Sequence, residues 1–280
     1  MRLFGLAQED PRASVTGSGA VAKFLFDALA RRHELVDRRG VDLTPLQRHL
    51  LAAASFHPDR DRLRTRFNWG GRVALGLRSR NAARLLRQVR EPFDFVVQTF
   101  GLLQTRGAPY VIYTDNTVEL SRRHWPAWVD VDGRPLERIY DWERRLYRGA
   151  LHAFTMGEAP AGSLASFYGV PGERVSVVGG GATFETLPER STGPREPVIL
   201  FVGNDWRRKG GDVLLEAFRA VRAQRPDARL QIAGTDEPAQ EPGVEVLGFV
   251  DDRRRIADLY ARASVYAMPS RFEPYGLSVT

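Results

Sequence analysis

Short apolar runs alternate along this chain with longer stretches in which apolar residues recur every third or fourth position. Residues 2–7 predict a buried first strand, and the small-residue turn 14–20 leads into an amphipathic helix over 21–32. A second strand is predicted at 35–41 and a helix at 43–56, entered near Thr44-Pro45, followed by a charged loop at 59–66. Residues 73–89 place Val73, Leu77, Leu85, Leu86 and Val89 at helical spacing with arginines on the remaining face, which predicts a solvated basic face. Residues 93–97 and 109–113 predict two buried strands, the second delivering Thr114, Asp115, Asn116 and Thr117 at its carboxyl end. A helix at 136–148, a strand at 151–156, a helix at 159–168 stopped by Gly169 and a strand at 175–178 complete this first series.

The composition then shifts to Pro, Glu, Thr, Ser and Gly over 183–197, the pattern of a linker. A second series follows: a strand at 198–203, a polar loop at 204–209, and a helix at 211–224 with Val213, Leu214, Ala217, Phe218 and Val221 on one face. Strands at 229–234 and 244–247, a helix at 252–262 and a strand at 264–268 come next. Strands alternating with helices of this length predict an α/β chain with parallel, doubly wound sheets. Two Rossmann-like domains are expected, 1–182 and 198–280.

Length agrees with this division, since 280 residues exceed the usual size of one domain. The absence of cysteine excludes disulfides, thiolate catalysis and thiolate metal sites. The chain opens on a strand-like segment without a secretory leader, and its longest apolar runs fall well short of the roughly 20 residues a spanning helix needs. A cytoplasmic location is therefore expected. The net charge of +7 lies wholly in the first part: residues 1–194 carry 28 basic and 21 acidic side chains, residues 195–280 carry 13 of each. Such a surface can meet anionic lipid or nucleic acid, and an arginine-rich composition produces it without either. No aromatic interleaving or nucleic-acid module accompanies the arginines, so no nucleic-acid partner is expected. A peripheral contact with the inner face of an anionic membrane is one expected use of that basic surface. Only Lys23 and Lys209 break the use of arginine among 41 basic residues, which singles out each lysine.

Three loops carry candidate chemistry. Gly17, Ser18 and Gly19 follow a strand and precede a helix, the arrangement that cradles phosphate, although any tight turn of this kind also calls for glycine. Asp115 stands where open α/β sheets bind ligands, and equally where a helix needs a capping residue. The third loop is the segment 268–277, Met-Pro-Ser-Arg-Phe-Glu-Pro-Tyr-Gly-Leu. It sets one carboxylate, Glu273, among free backbone N–H groups after a strand, which suits a polyhydroxylated ligand beside a phosphate.

Four segments in this order, Gly203-Asn204-Asp205-Trp206-Arg207-Arg208-Lys209-Gly210-Gly211, then 228–234, then Val246-Leu247-Gly248-Phe249-Val250, then 268–276, resemble those of family 4 type (group 1) glycosyltransferases of the GT-B fold. The first domain matches more loosely, through Gly17–Gly19, the Asp115 loop and 169–181. The resemblance implies two Rossmann-like domains and transfer of a sugar from a nucleotide-sugar donor to an acceptor (a glycan, a lipid-linked or a small molecule). It implies retention at the anomeric carbon and no metal or other cofactor. Lys209, with an arginine near it, would neutralise the donor diphosphate as the bond breaks. Many relatives have arginine at the Asn204 position, which leaves Arg207 or Arg208 as the replacement, with a solvated role open to both. Glu273 would accept hydrogen bonds from the transferred sugar, with Asp115 as a further catalytic candidate. Phe272, Pro274, Tyr275, Gly276 and Leu277 would line the donor, together with Gly17, Ser18, Gly19, Asn204 and Arg208, and Gly248, Phe249 and Val250 would meet the base. The family's second glutamate would fall just after Thr280, so a donor domain truncated at its C-terminus is expected, with apolar surface bared on its sheet. That expectation keeps open a nucleotide-sugar binding fragment without turnover.

Overall fold

The computed structural model describes residues 1–12, 17–54, 72–100, 103–129, 131–184, 196–237 and 241–279. The chain divides into two compact units, Met1–Gly181 and Ala182–Thr280. The predicted loop at 59–66 and most of the predicted linker at 183–197 lie outside the described residues.

The first unit runs β1 (Arg2–Ala7), α1 (Gly17–Ala30), β2 (Glu34–Gly40), α2 (Pro45–Ala54), α3 (Arg72–Gln88), β3 (Phe95–Thr99), β4 (Tyr110–Thr114), α4 (Val118–His124), α5 (Gly133–Gly149), β5 (His152–Thr155), α6 (Glu158–Ser166) and β6 (Val175–Val177). Its six strands are all parallel, in the order β2-β1-β3-β4-β5-β6. Successive side chains of a strand point to opposite faces, and β1 shows the result. Leu3 and Ala7 pack with Ala22 and Phe26 of α1, while Phe4 and Leu6 pack with Ala82 of α3 and with Leu103. Helices cover both faces of the sheet, which is why its inner strands β1, β3 and β4 are mostly apolar, while the edge strand β2 is half charged.

The second unit runs β7 (Glu196–Val202), α7 (Gly211–Gln224), β8 (Arg229–Ala233), β9 (Val244–Val246), α8 (Arg253–Arg262) and β10 (Ala263–Tyr266). Its strands are parallel in the order β10-β7-β8-β9. The same alternation sets Phe201 against Leu214, Leu215 and Phe218 of α7, and Val198 and Leu200 against Leu259 of α8. The fold is thus α/β with parallel sheets, as the sequence predicts. Val265, on β10, is 51% exposed.

Four local expectations are corrected. Helix α1 begins at Gly17, so Gly17, Ser18 and Gly19 form its first turn instead of a turn ahead of it. The arginines of α3 are not all solvated: Arg78 is 3% exposed and its Nη2 donates to Asp42 at 3.3 Å, because the helix turns Ala74, Leu75, Ala82 and Ala83 inward and Arg78 shares their face. Helix α7 buries Leu214, Leu215 and Phe218, whereas Val213 and Val221 are exposed; two neighbouring stripes are apolar, and only one can face the sheet. Helix α4 is absent from the sequence reading, its seven residues being too few to display a period. The helix entry near Thr44 stands: Gln47 N donates to Thr44 Oγ1 at 3.3 Å and Thr44 N to Gln47 Oε1 at 3.0 Å, a reciprocal cap.

Candidate functional site

In the second sheet β7 is flanked by β8, which follows it, and by β10, which comes last, so the chain reverses its winding direction between β7 and β10. At such a switch point the loops leaving two neighbouring strands diverge and leave a crevice at their carboxyl ends. The loop after β7 holds Asn204 to Gly210, and the loop after β10 holds Met268 to Gly276. Arg271 ties the two together: its N donates to the Arg208 carbonyl at 2.8 Å, its Nη1 to the Arg207 carbonyl at 2.7 Å, and its guanidinium spans both oxygens of Asp212 at 2.6 and 2.8 Å.

Within this frame Glu273 accepts through one oxygen from two cations. Oε2 lies 3.0 Å from Arg208 Nη1 and 3.1 Å from Lys209 Nζ. The cations are 5% and 9% exposed, a burial that charged side chains reach only when paired. Arg208 is further fixed by Asp205, whose Oδ2 accepts from Nε at 3.1 Å and whose Oδ1 accepts from its backbone N at 3.2 Å, and by the Phe272 carbonyl, which accepts from Nη1 at 2.8 Å. Lys209 Nζ also donates to the thioether of Met268 at 3.2 Å.

Two glycines make this geometry reachable. A Cβ on Gly203 would lie 2.2 Å from Lys209 Cδ, so the lysine stem passes over bare backbone. Gly210 has φ 72°, and a Cβ there would lie 1.9 Å from the Pro269 carbonyl oxygen. The two loops therefore touch backbone to backbone beside the cations.

The structure brings Arg208, Lys209, Phe272 and Glu273 into direct contact. It turns Arg207 to solvent, so of the two arginines left open by the sequence it is Arg208 that joins the cluster. Asn204 is exposed. Gly248, with φ 63°, accepts from Gly234 N at 2.7 Å beyond the end of β9; Phe249 beside it is 66% exposed, and Val250 is buried in the core. Pro274, Tyr275 and Leu277 are half-buried, and Gly276 is buried with φ 88°. Sequence reasoning missed the Met268 sulfur and the Arg271–Asp212 pair, which depend on a strand order that spacing does not reveal.

In the first unit, Gly19 N donates to Glu9 Oε2 at 3.0 Å, so a carboxylate caps the start of α1. Asp115 is half-buried after β4, and Thr117 Oγ1 caps α4 by accepting from Leu120 N at 3.2 Å. Behind this turn lies a buried polar cluster that sequence reasoning also missed. The Glu143 carboxylate, 1% exposed, accepts from Val118 N at 3.2 and 3.3 Å, from Tyr147 Oη at 3.4 Å and from Tyr168 Oη in a short contact. Ser163 Oγ donates to Glu119 Oε2 at 2.9 Å and lies 2.9 Å from Thr117 Oγ1. The signal was present: Ile139, Glu143 and Tyr147 stand four apart, so Glu143 occupies the apolar stripe of α5.

Burial pushes the Glu143 pKa up to about 7, against the hydrogen bonds from Tyr168 and Val118 that lower it. A carboxyl with a raised folded pKa binds its proton more tightly in the native state. Its contribution to stability is full below the unfolded value of 4.5 and is lost as pH rises through about 7. Denaturation midpoints are accordingly expected to fall between about pH 5 and about pH 7, and Glu143→Gln is expected to flatten that slope. An unchanged slope in the variant contradicts the assignment.

Among the described residues no three His, Asp or Glu side chains gather to hold a metal ion. The chemistry on offer is electrostatic: two buried cations and an acid at the carboxyl edge of a parallel sheet, suited to an anionic group joined to a hydroxyl-rich one.

Comparison with known proteins places the second unit beside one family. Residues 196–280 match the family model described as glycosyl transferases group 1. The chain is 26% identical over 199 residues to D-inositol 3-phosphate glycosyltransferase of Segniliparus rotundus, covering 63% of this chain and 44% of that protein. It is 35% identical over 99 residues to phosphatidyl-myo-inositol mannosyltransferase of Propionibacterium freudenreichii, covering 33% and 26%. The chain thus spans less than half the length of these curated relatives. Among solved structures, an Anabaena protein in complex with UDP aligns with a TM-score of 0.57 at 15% identity, over 96% of this chain and 74% of that one. A lipopolysaccharide outer core galactosyltransferase in its apo form aligns at 0.52 and 12% identity, over 100% and 77%. At these identities the two structures speak for the fold.

Proposed function

We propose that the chain transfers a glycosyl group from a nucleotide-sugar to an acceptor, with retention at the anomeric carbon; the match of residues 196–280 to the group 1 glycosyltransferase model and the α/β fold shared with GT-B proteins support this. The observation that carries this reading is the convergence of Arg208 and Lys209 on Glu273 at the switch point of the second sheet.

On this reading Lys209 and Arg208 meet the diphosphate of the donor. As the bond from sugar to phosphate breaks, negative charge builds on the leaving oxygens, and two fixed cations stabilise it more than they stabilise the ground state. Lysine suits the position as a compact point charge in a chain that otherwise uses arginine. Glu273 accepts hydrogen bonds from sugar hydroxyls, while the backbone N–H groups of Tyr275, Gly276 and Leu277 face the sugar and phosphate. The exposed ring of Phe249 offers a stacking face to the nucleotide base. The acceptor falls to the first unit, with Asp115 as its catalytic candidate and the first turn of α1, Gly17–Gly19, kept for the donor.

Calorimetric titration of the chain with UDP, GDP and ADP beside inorganic diphosphate tests the proposal. One nucleoside diphosphate is expected to bind more tightly than inorganic diphosphate, because base and ribose contacts add to the phosphate site. The proposal is lost if none does.

A further inference from the structure

Resting on the donor reading above, we propose that the Glu273 carboxylate is a resident anion on the Arg208–Lys209 pair, exchanged for the diphosphate of the incoming ligand. The same side chain that serves the sugar therefore opposes diphosphate binding.

The argument starts from charge balance. Arg208 and Lys209 are met by Asp205 and Glu273, two positive charges against two negative ones in a largely buried cluster. A diphosphate carries more than one negative charge, so adding it with Glu273 still in place would leave the cluster strongly negative in a region of reduced dielectric. One acid has to withdraw. Asp205 is bound to the Arg208 backbone as well as to its side chain, which fixes it to the loop after β7. Glu273 is the less exposed of the two acids, 23% against 38% for Asp205, but among the described residues it is held through a single oxygen and by side-chain partners alone, with no bond to the backbone of the loop it faces.

The two cations are also unequal. Arg208 keeps Asp205 and the Phe272 carbonyl when Glu273 leaves, so it stays in position. Among the described residues the partners of Lys209 Nζ are Glu273 and the Met268 thioether, which also accepts from Tyr266 Oη at 3.3 Å. A thioether is a weak acceptor, and an ammonium has three donors to satisfy. Without the carboxylate, Lys209 is a buried cation lacking a full partner, and an anionic oxygen is what completes it.

Titration of inorganic diphosphate into the 280-residue chain and its variants reads this directly. Glu273→Gln is expected to bind it about fivefold more tightly or better, the equivalent of releasing one partly exposed ion pair. Glu216→Gln, which removes the same charge from an exposed position on α7, is expected to leave the affinity unchanged. Equal or weaker binding by Glu273→Gln overturns the proposal, as does an equal gain in Glu216→Gln, which would mark a long-range charge effect. Should melting show the Gln variant to be unfolded, Glu273→Asp withdraws the carboxylate by one methylene; a gain in affinity supports the exchange, and wild-type affinity overturns it. The donor reading fails separately: if no nucleoside diphosphate exceeds inorganic diphosphate, a gain in Glu273→Gln still stands.

Discussion

Lys209→Ala is expected to lower kcat/KM for glycosyl transfer by on the order of 10²–10³-fold, the usual cost of removing one preorganised group that stabilises developing charge. Neither neighbouring arginine can make good the loss. Arg208 is held by Asp205, the Phe272 carbonyl and Glu273, and Arg207 faces solvent. Lys209→Arg is expected to restore only part of the rate, because the lysine stem lies against the bare backbone of Gly203 and a planar fork does not fit where an ammonium does. Initial rates with a nucleotide-sugar and acceptor check both. A Lys209→Ala enzyme within about threefold of wild type would remove the lysine from the mechanism.

Gly210→Ala is expected to destabilise the second unit by about 2–5 kcal/mol and to abolish diphosphate binding. Two costs add. Left-handed backbone at φ 72° costs a residue with a Cβ about 1–2 kcal/mol. The Cβ also meets the Pro269 carbonyl oxygen at 1.9 Å and its carbon at 2.7 Å, backbone atoms that yield only if the loop moves, at about 1–3 kcal/mol. Moving that loop also shifts the Arg208 carbonyl that the Arg271 N–H holds, and with it the Arg208–Lys209 pair that would meet the diphosphate. Gly172→Ala, where a Cβ meets nothing within 4 Å, serves as the control. Chemical denaturation and calorimetry distinguish the two variants, and equal midpoints would show that the loop contact is soft.

The architecture was largely legible in the sequence because its inner strands are buried on both faces. A short apolar run such as Arg2–Ala7 has few alternatives, and the helical period of Gly211–Gln224 begins directly after Gly210, so both read with their observed bounds. Orientation was less legible. Helix α7 carries two adjacent apolar stripes, and the choice between them rests on the sheet it meets; the burial of Arg78 likewise depends on Asp42, a residue of a different segment. The site divides in the same way. Lys209 and Glu273 stood out by residue type and resemblance, but they are 64 positions apart, and only the placement of β10 beside β7 makes them neighbours. Glu143 is the opposite case, a local signal on a helical stripe that was passed over because the surrounding arginines dominate the pattern.

That placement of β10 has a kinetic consequence. Among the described strands it is four residues long, sits at the sheet edge and pairs with β7 alone, so it belongs to the part of the unit that opens most readily in local fluctuations. An opening of that one ladder would part the loop of Glu273 from the loop of Lys209. A ligand that bridges the two loops therefore acts as a clasp on the strand, and its occupancy is written into the amide exchange of residues 263–276.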